Sequence, residues 1–170
     1  MGERAVARRH GALPVRFRGG SVHKRIFVLN GPNLNLLGER EPEIYGRTTL
    51  AEVADICASA AARHGYEVDF RQTNVEGELI AAIHEARRSA DGILINPAAW
   101  TFTSIAILDA LKTFDGPKIE FHISNVHKRE AIYHHSLISP TATAVMLGLG
   151  PQGYAIAVEA LVMLIGKGAA

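Results

Sequence analysis

Apolar residues along this chain switch repeatedly between two spacings. Short apolar or alternating runs read as strands, and stretches with an apolar residue every three or four positions read as helices. Arg25–Asn30 (RIFVLN) is the first run and stops at Asn30-Gly31-Pro32, a turn signal. Tyr66–Arg71 (YEVDFR) alternates, and Gly92–Ile95 (GILI) is apolar throughout and ends at Asn96-Pro97. Lys118–His122 (KIEFH) and Ala142–Leu147 (ATAVML) are the fourth and fifth strands. Between them lie helices with recognisable starts. Thr49 and Glu52 form a capping box, each side chain reaching a free backbone N–H, ahead of the stripe Leu50, Val53, Ala54, Cys57, Ala60 and Ala61. Asn74 is placed to cap a second helix with Glu76 and Glu78 in its first turn, and Thr103 a third, running to about Phe114. Pro151 suits the first position of a last helix whose buried side carries Tyr154, Val158, Leu161, Val162 and Ile165.

Strands separated mostly by helices predict an α/β fold, a flavodoxin-like doubly wound five-stranded parallel sheet, as a single catalytic domain over residues 25–170. Ligands of such sheets bind in the crevice at the carboxyl ends of the strands. That edge is polar in this chain: Asn30, Asn33 and Asn35 follow the first strand, Asn96 the third, and His122, Ser124, Asn125 and His127 the fourth.

Composition narrows the picture. The chain has 170 residues, 48% hydrophobic and 21% charged, as an ordinary globular domain has. Its apolar runs fall short of the length a transmembrane helix needs, so no membrane partner is expected. A single cysteine excludes a disulfide framework and a multi-thiolate zinc site and fits a reducing, cytoplasmic location. Cys57 lies on an apolar stripe and reads as core. Charge is unevenly spread. Residues 1–25 hold seven Lys or Arg against Glu3 alone, a net +6, which leaves 11 basic and 16 acidic residues, a net −5, for the rest. Residues 1–24 therefore read as a flexible basic arm, either a plain tail or a hook for an acidic partner; nucleic acid is not the expected partner.

Two segments carry candidate chemistry. Gly38-Glu39-Arg40-Glu41-Pro42-Glu43-Ile44-Tyr45-Gly46 is a charged loop between glycines, the form of a lid with hinges. A tyrosine near pKa 10 is a poor base at neutral pH, but a guanidinium close to it favours the phenolate, so Arg40 can make Tyr45 a usable base. A solvated surface loop is the plain alternative. On the fourth strand Glu120 and His122 are two apart and share a face, so the carboxylate can fix the imidazole and support its cation, which makes a general acid. A structural histidine is the alternative there. Other motifs fail. Gly148–Gly153 matches G-x-G-x-x-G, but only 17 residues follow it, so it reads as a tight turn into a helix. His122 and His127 lack a carboxylate at ligand spacing, and no metal is expected.

Residues 26–165 resemble the type II 3-dehydroquinate dehydratases. The likeness is carried by LNGPNLNLLGEREPEIYG (29–46), RQTNVEGELI (71–80), INPAAWTFTSIAILDAL (95–111), IEFHISNVHKRE (119–130) and the stretch from His134 to Tyr154. It implies an enzyme of the shikimate or quinate pathway that removes water from 3-dehydroquinate by anti elimination through an enolate, with no cofactor or metal. By that resemblance Tyr45 is the base and Arg40 lowers its pKa. Asn33 holds the water that stabilises the enolate oxygen. His122 protonates the departing hydroxyl, and Glu120 holds His122. Asn96, Ile123 and Ser124 bind the substrate carboxylate. Asp109 reaches a neighbouring subunit's site in a homo-oligomer, a dodecamer of trimers.

Two positions depart from that pattern. Phe102 stands where the family usually has histidine, and Tyr133 where it usually has arginine; in the family both residues read ring hydroxyls of the substrate. Trp100, Leu108 and Ala98 are further changes nearby, and His134, beside the vacant arginine position, is the first substitute to consider. A site that loses such partners loses discrimination. Two other readings therefore stand beside the dehydratase: a same-fold hydro-lyase or hydratase for a less hydroxylated cyclic β-hydroxy ketone, and a catalytically weak oligomeric binding protein that uses its arm.

Overall fold

The computed structural model describes residues 24–39 and 47–168. The basic arm and the segment 40–46, with Arg40 and Tyr45, lie outside the described residues. Five strands form one parallel sheet in the order β2-β1-β3-β4-β5: β1 (Arg25–Asn30), β2 (Glu67–Gln72), β3 (Gly92–Asn96), β4 (Lys118–His122) and β5 (Ala144–Leu147). This is the flavodoxin-like order expected, and its direction of winding reverses between β1 and β3, where the crevice of such sheets lies.

Four α-helices cover the two faces: α1 (Leu50–Ala62), α2 (Glu76–Ser89), α3 (Ile105–Lys112) and α4 (Gly153–Gly168). Strand alternation sends Ile26, Val28, Leu94, Ile119 and Phe121 to one face, under Val53, Cys57 and Ala61 of α1 and Tyr154, Val158 and Leu161 of α4. Phe27, Leu29, Ile93 and Ile95 go to the other, under Leu79 and Ile83 of α2 and Ile107 and Leu111 of α3. Cys57 is fully buried, and burial pushes its thiol up to about 12, so it is core and not a nucleophile.

The capping box forms as read: Thr49 Oγ1 accepts from Glu52 N–H, and Thr49 N–H donates to Glu52 Oε2 at 2.7 Å. The other starts shift. Asn74 does not cap α2, because its Oδ1 accepts from Asn33 N–H (2.9 Å) and Gln72 Nε2 (3.2 Å) and so ties the loop after β1 to β2. Ser104, not Thr103, caps α3 by accepting from Ile107 N–H at 2.9 Å; a short 3-10 turn over Ala98–Phe102 occupies the preceding residues. β5 starts at Ala144 rather than Ala142, and Thr143 just before it is tied to Lys118 of β4 twice, donating its N–H to the Lys118 C=O (2.7 Å) and accepting the Lys118 N–H on Oγ1 (3.0 Å). Pro151 lies in the turn before α4, entered through Gly148 and Gly150 at positive φ, so the glycine run is a tight turn into a helix.

Candidate active site

β4 alternates in an unusual way. Ile119 and Phe121 enter the core under α4, while Glu120 and His122, on the opposite face, are both buried and polar. His122 Nε2 meets Glu120 Oε1 at 2.8 Å. Two serines complete the carboxylate: Ser136 donates to Oε1 at 2.9 Å and Ser139 to Oε2 at 2.5 Å. Ser136 Oγ also accepts from the N–H groups of Ile138 and Ser139, which fixes its hydroxyl direction. Burial raises the Glu120 pKa, but the bonds from His122, Ser139 and Ser136 and the His122 charge outweigh it, and the group is held below the usual range. Glu120 is therefore a carboxylate at neutral pH. It occupies Nε2 of His122, and among the described residues nothing bonds Nδ1, the ring nitrogen left to serve a ligand.

His122 opens on a pocket of about 270 Å³ at the carboxyl edge of the sheet. Asn33, Asn96, Ile123 and Ser124 line it, with Leu36 and Leu37. Asn33 takes left-handed backbone (φ 67°), a conformation asparagine tolerates, and is pinned by its N–H to Asn74. The β3–β4 ladder stops at Ile95↔Glu120, since Pro97 beyond it has no N–H to contribute. Ile123 and Ser124 lie past that end, where their amides can serve an anion. Ala98 is also left-handed (φ 51°) and donates its N–H to Asn96 Oδ1 at 3.3 Å. Alanine is strained there by about 1–2 kcal/mol. Ala98→Gly should relieve part of this and raise stability by up to about 1 kcal/mol, after the extra chain entropy of glycine is subtracted. Denaturant unfolding at fixed protein concentration checks it; an unchanged or lower midpoint argues that the φ carries no strain.

One wall of the pocket is aromatic. Phe102 lies near-parallel to His122, ring centres 6.2 Å apart, and Tyr133 meets Phe102 edge-on at 5.4 Å. The Arg129 guanidinium sits over the Tyr133 ring, 3.8 Å from its centre. Arg129 is the one Lys or Arg among the described lining residues. His134 is not on this wall: its Nε2 meets Arg129 C=O at 2.8 Å, and it lines a neighbouring cavity of about 210 Å³ beside Ser136 and Ser139. The cation on this wall is thus Arg129, four residues before Tyr133 in the chain. Trp100 and Leu108 pack against the core under α2 and α3 and do not line the pocket.

Residues 24–162 match the family model Dehydroquinase class II. This chain belongs to that family. The family member is 59% identical over 146 residues to the 3-dehydroquinate dehydratase of Streptomyces coelicolor, an alignment covering 85% of this chain and 93% of the relative. It is 57% identical over 136 residues to 3-dehydroquinate dehydratase 2 of Pseudomonas aeruginosa, covering 80% and 92%. Among solved structures it is similar to a type II dehydroquinase from Propionibacterium acnes, with a TM-score of 0.80 at 43% identity over 85% of this chain and 99% of that one.

Within this dehydroquinase fold, Glu120, His122, Asn33, Asn96, Ile123, Ser124, Phe102 and Tyr133 gather around the two adjoining cavities. Asp109 does not join them: it is exposed on α3, paired with Lys112 Nζ at 3.1 Å. Arg40 and Tyr45 are outside the described residues. The sequence reading missed Arg129, Ser136 and Ser139 as parts of the site. Both serines lie on a loop some 16 to 19 residues after Glu120, and no local spacing links them to it.

Proposed function

We propose that this chain is a hydro-lyase that converts 3-dehydroquinate to 3-dehydroshikimate through an enolate, by anti elimination, without metal or cofactor. One observation carries the reading: a buried, triply bonded carboxylate holds His122 at a pocket edge that also offers Asn33, Asn96 and the amides of Ile123 and Ser124. Its support is the family, together with relatives matched over more than nine-tenths of their length.

In the first step the Tyr45 phenolate, favoured by Arg40, takes the proton next to the ketone. The electron pair moves onto the carbonyl oxygen, and a water held by Asn33 stabilises the enolate. In the second step the enolate collapses, the C–O bond of the ring hydroxyl breaks, and His122 gives that oxygen a proton as it departs as water. Glu120 stabilises the imidazolium before this transfer and fixes which nitrogen faces the substrate. Asn96, Ile123 and Ser124 hold the substrate carboxylate. We place the enzyme in the cytoplasm and in a dodecamer of trimers, in which Asp109, exposed on its own subunit, serves a neighbour's site.

The aromatic wall does not redirect this reading to a less hydroxylated ring, because Arg129, stacked on Tyr133, still presents a positive charge to the pocket. Tyr133 holds that charge in place by a cation–π contact. Arg129→Ala should therefore raise KM for 3-dehydroquinate about tenfold with a smaller change in kcat, as expected for a bond made to ground state and transition state alike. A KM unchanged in that variant would mean that the wall reads the substrate in some other way.

The deciding assay is the rise of conjugated-enone absorbance when purified protein meets 3-dehydroquinate. Turnover at ordinary enzyme rates is expected, unchanged by chelator and without inactivation by borohydride in the presence of substrate. Protein that binds 3-dehydroquinate without converting it, or converts it only with added metal, contradicts the proposal.

A further inference from the structure

Beneath the pocket runs a chain of four hydrogen bonds that the proposed reaction does not yet use. Ala98 N–H donates to Asn96 Oδ1 (3.3 Å), and Asn96 Nδ2 donates to Tyr154 Oη (3.1 Å). Tyr154 O–H donates to Asn30 Oδ1 (2.6 Å), and Asn30 Nδ2 donates to Arg71 C=O (3.1 Å). The side chains come from the ends of β3, α4 and β1, and the chain finishes on β2. Asn30 and Tyr154 are wholly buried, and Asn96 is 4% exposed.

The direction of every bond is forced. A backbone carbonyl can only accept, so the end of Asn30 facing Arg71 must be its NH₂, and its oxygen must face Tyr154. A backbone N–H can only donate, so the end of Asn96 facing Ala98 must be its oxygen, and its NH₂ must face Tyr154. Tyr154 has one proton. Burial holds its hydroxyl above the ordinary tyrosine range, so that proton stays in place. It goes to Asn30, and the oxygen lone pairs are left for Asn96. Two backbone groups on opposite sides of the crevice thereby select one of the two flips of the Asn96 amide. Asn96 lines the pocket, and its second N–H has no acceptor among the described residues.

We propose that Tyr154 is a positioning residue of the active site: its hydroxyl, itself oriented by Asn30, locks the Asn96 amide and aims the free Asn96 N–H at a substrate oxygen. The identity of that oxygen, an atom of the 3-dehydroquinate carboxylate, rests on the function proposed above; the orientation of Asn96 does not. A donor fixed in advance costs no reorganisation when the anion arrives. Asn96 belongs to the contacts already expected at this edge, whereas Tyr154 and Asn30 touch no substrate and act only through it.

The test compares Tyr154→Phe, Asn30→Leu, Asn96→Ala and the double variant Tyr154→Phe with Asn96→Ala, each assayed below its melting temperature on 3-dehydroquinate. Tyr154→Phe removes one oxygen and should raise KM about tenfold while kcat stays within about threefold. Asn30→Leu keeps the tyrosine hydroxyl but removes its acceptor, and should raise KM in the same way. In the double variant the Tyr154 change should add nothing to the loss from Asn96→Ala, since both remove one interaction. A merely structural tyrosine would lower stability and leave these losses additive. A crystal structure of Tyr154→Phe supplies a readout independent of substrate, with the Asn96 side chain expected to turn or to occupy two positions. The assignment is overturned by folded Tyr154→Phe and Asn30→Leu enzymes whose KM lies within about twofold of wild type. It is equally overturned by an Asn96 side chain that keeps its place and contacts in the Tyr154→Phe crystal. Wild type without turnover on 3-dehydroquinate would sink the function proposed above, and the crystal structure would still decide the relay.

Discussion

Glu120→Gln is expected to lower kcat on 3-dehydroquinate by about 100-fold or more, near the low end of what a general acid contributes, and to cost about 1.5–3 kcal/mol of stability at neutral pH, the range for hydrogen bonds to a charged group. Glutamine matches the shape, and both serines can still bond it, so the variant should fold. What it lacks is the negative charge beside His122 Nε2, 2.8 Å away, which supports the imidazolium needed to protonate the leaving hydroxyl. The pH dependence has a definite sign. The folded-state pKa of Glu120 is depressed, so the unfolded chain binds this proton more readily than the folded one. Its contribution is then fully present above the ordinary glutamate pKa of about 4.3 and is lost as pH falls through the lower folded value. The part of the stability gap that comes from Glu120 ionisation should be fully present above about pH 5.5 and should close at more acid pH. Denaturant titrations across that range measure the gap. A gap that widens as pH falls below about 5.5 would mean Glu120 is protonated in the native protein, and the acid role of His122 would fall with it.

Tyr45→Phe should leave folding and assembly intact and remove nearly all turnover, about 100-fold to 10,000-fold for loss of a positioned base. A Cβ added to Gly38 would lie 2.9 Å from Arg47 C=O, so the chain leaves and re-enters at one point on the rim, beside Leu37 of the pocket lining. The tyrosine is the one group in 40–46 able to act as a base above the carboxylate range, and Arg40 supplies the charge that brings its pKa toward neutrality. Arg40→Ala should act in the same direction and shift the basic limb of any remaining rate to higher pH. Stopped-flow or steady-state absorbance, paired with a melting curve, separates a chemical loss from an unfolded enzyme. A Tyr45→Phe enzyme within a few-fold of wild type would remove the tyrosine from the mechanism.

Much of the fold was legible because its signals are local. The run RIFVLN and the block before Gly-Pro mark β1 to the residue, and the Thr49–Glu52 box forms with both of its bonds. Helix starts were less readable where two cap candidates stood close together. Asn74 and Thr103 both have the right chemistry, but Asn33 N–H claims the first, and the 3-10 turn of Ala98–Phe102 moves the start past the second. Period-2 alternation was enough to put Glu120 and His122 on one face. Nothing in that spacing says whether the face is wet or dry.

The amino-acid sequence by itself determined the order and type of elements, the edge of the sheet where chemistry is sought, and the pairing of one carboxylate with one imidazole. These follow from spacings of two to four residues, within which backbone geometry leaves few choices. Tertiary structure alone decided what surrounds that pair. Ser136 and Ser139 reach Glu120 from a separate loop, and the Arg129 guanidinium stacks on Tyr133 at the pocket wall. Tyr154 illustrates the limit most clearly. Helical periodicity assigns it to the apolar stripe of α4, and its ring is indeed core. Its hydroxyl meets an asparagine 124 residues earlier and another 58 residues earlier, contacts that exist only once β1, β3 and α4 have packed at the crevice.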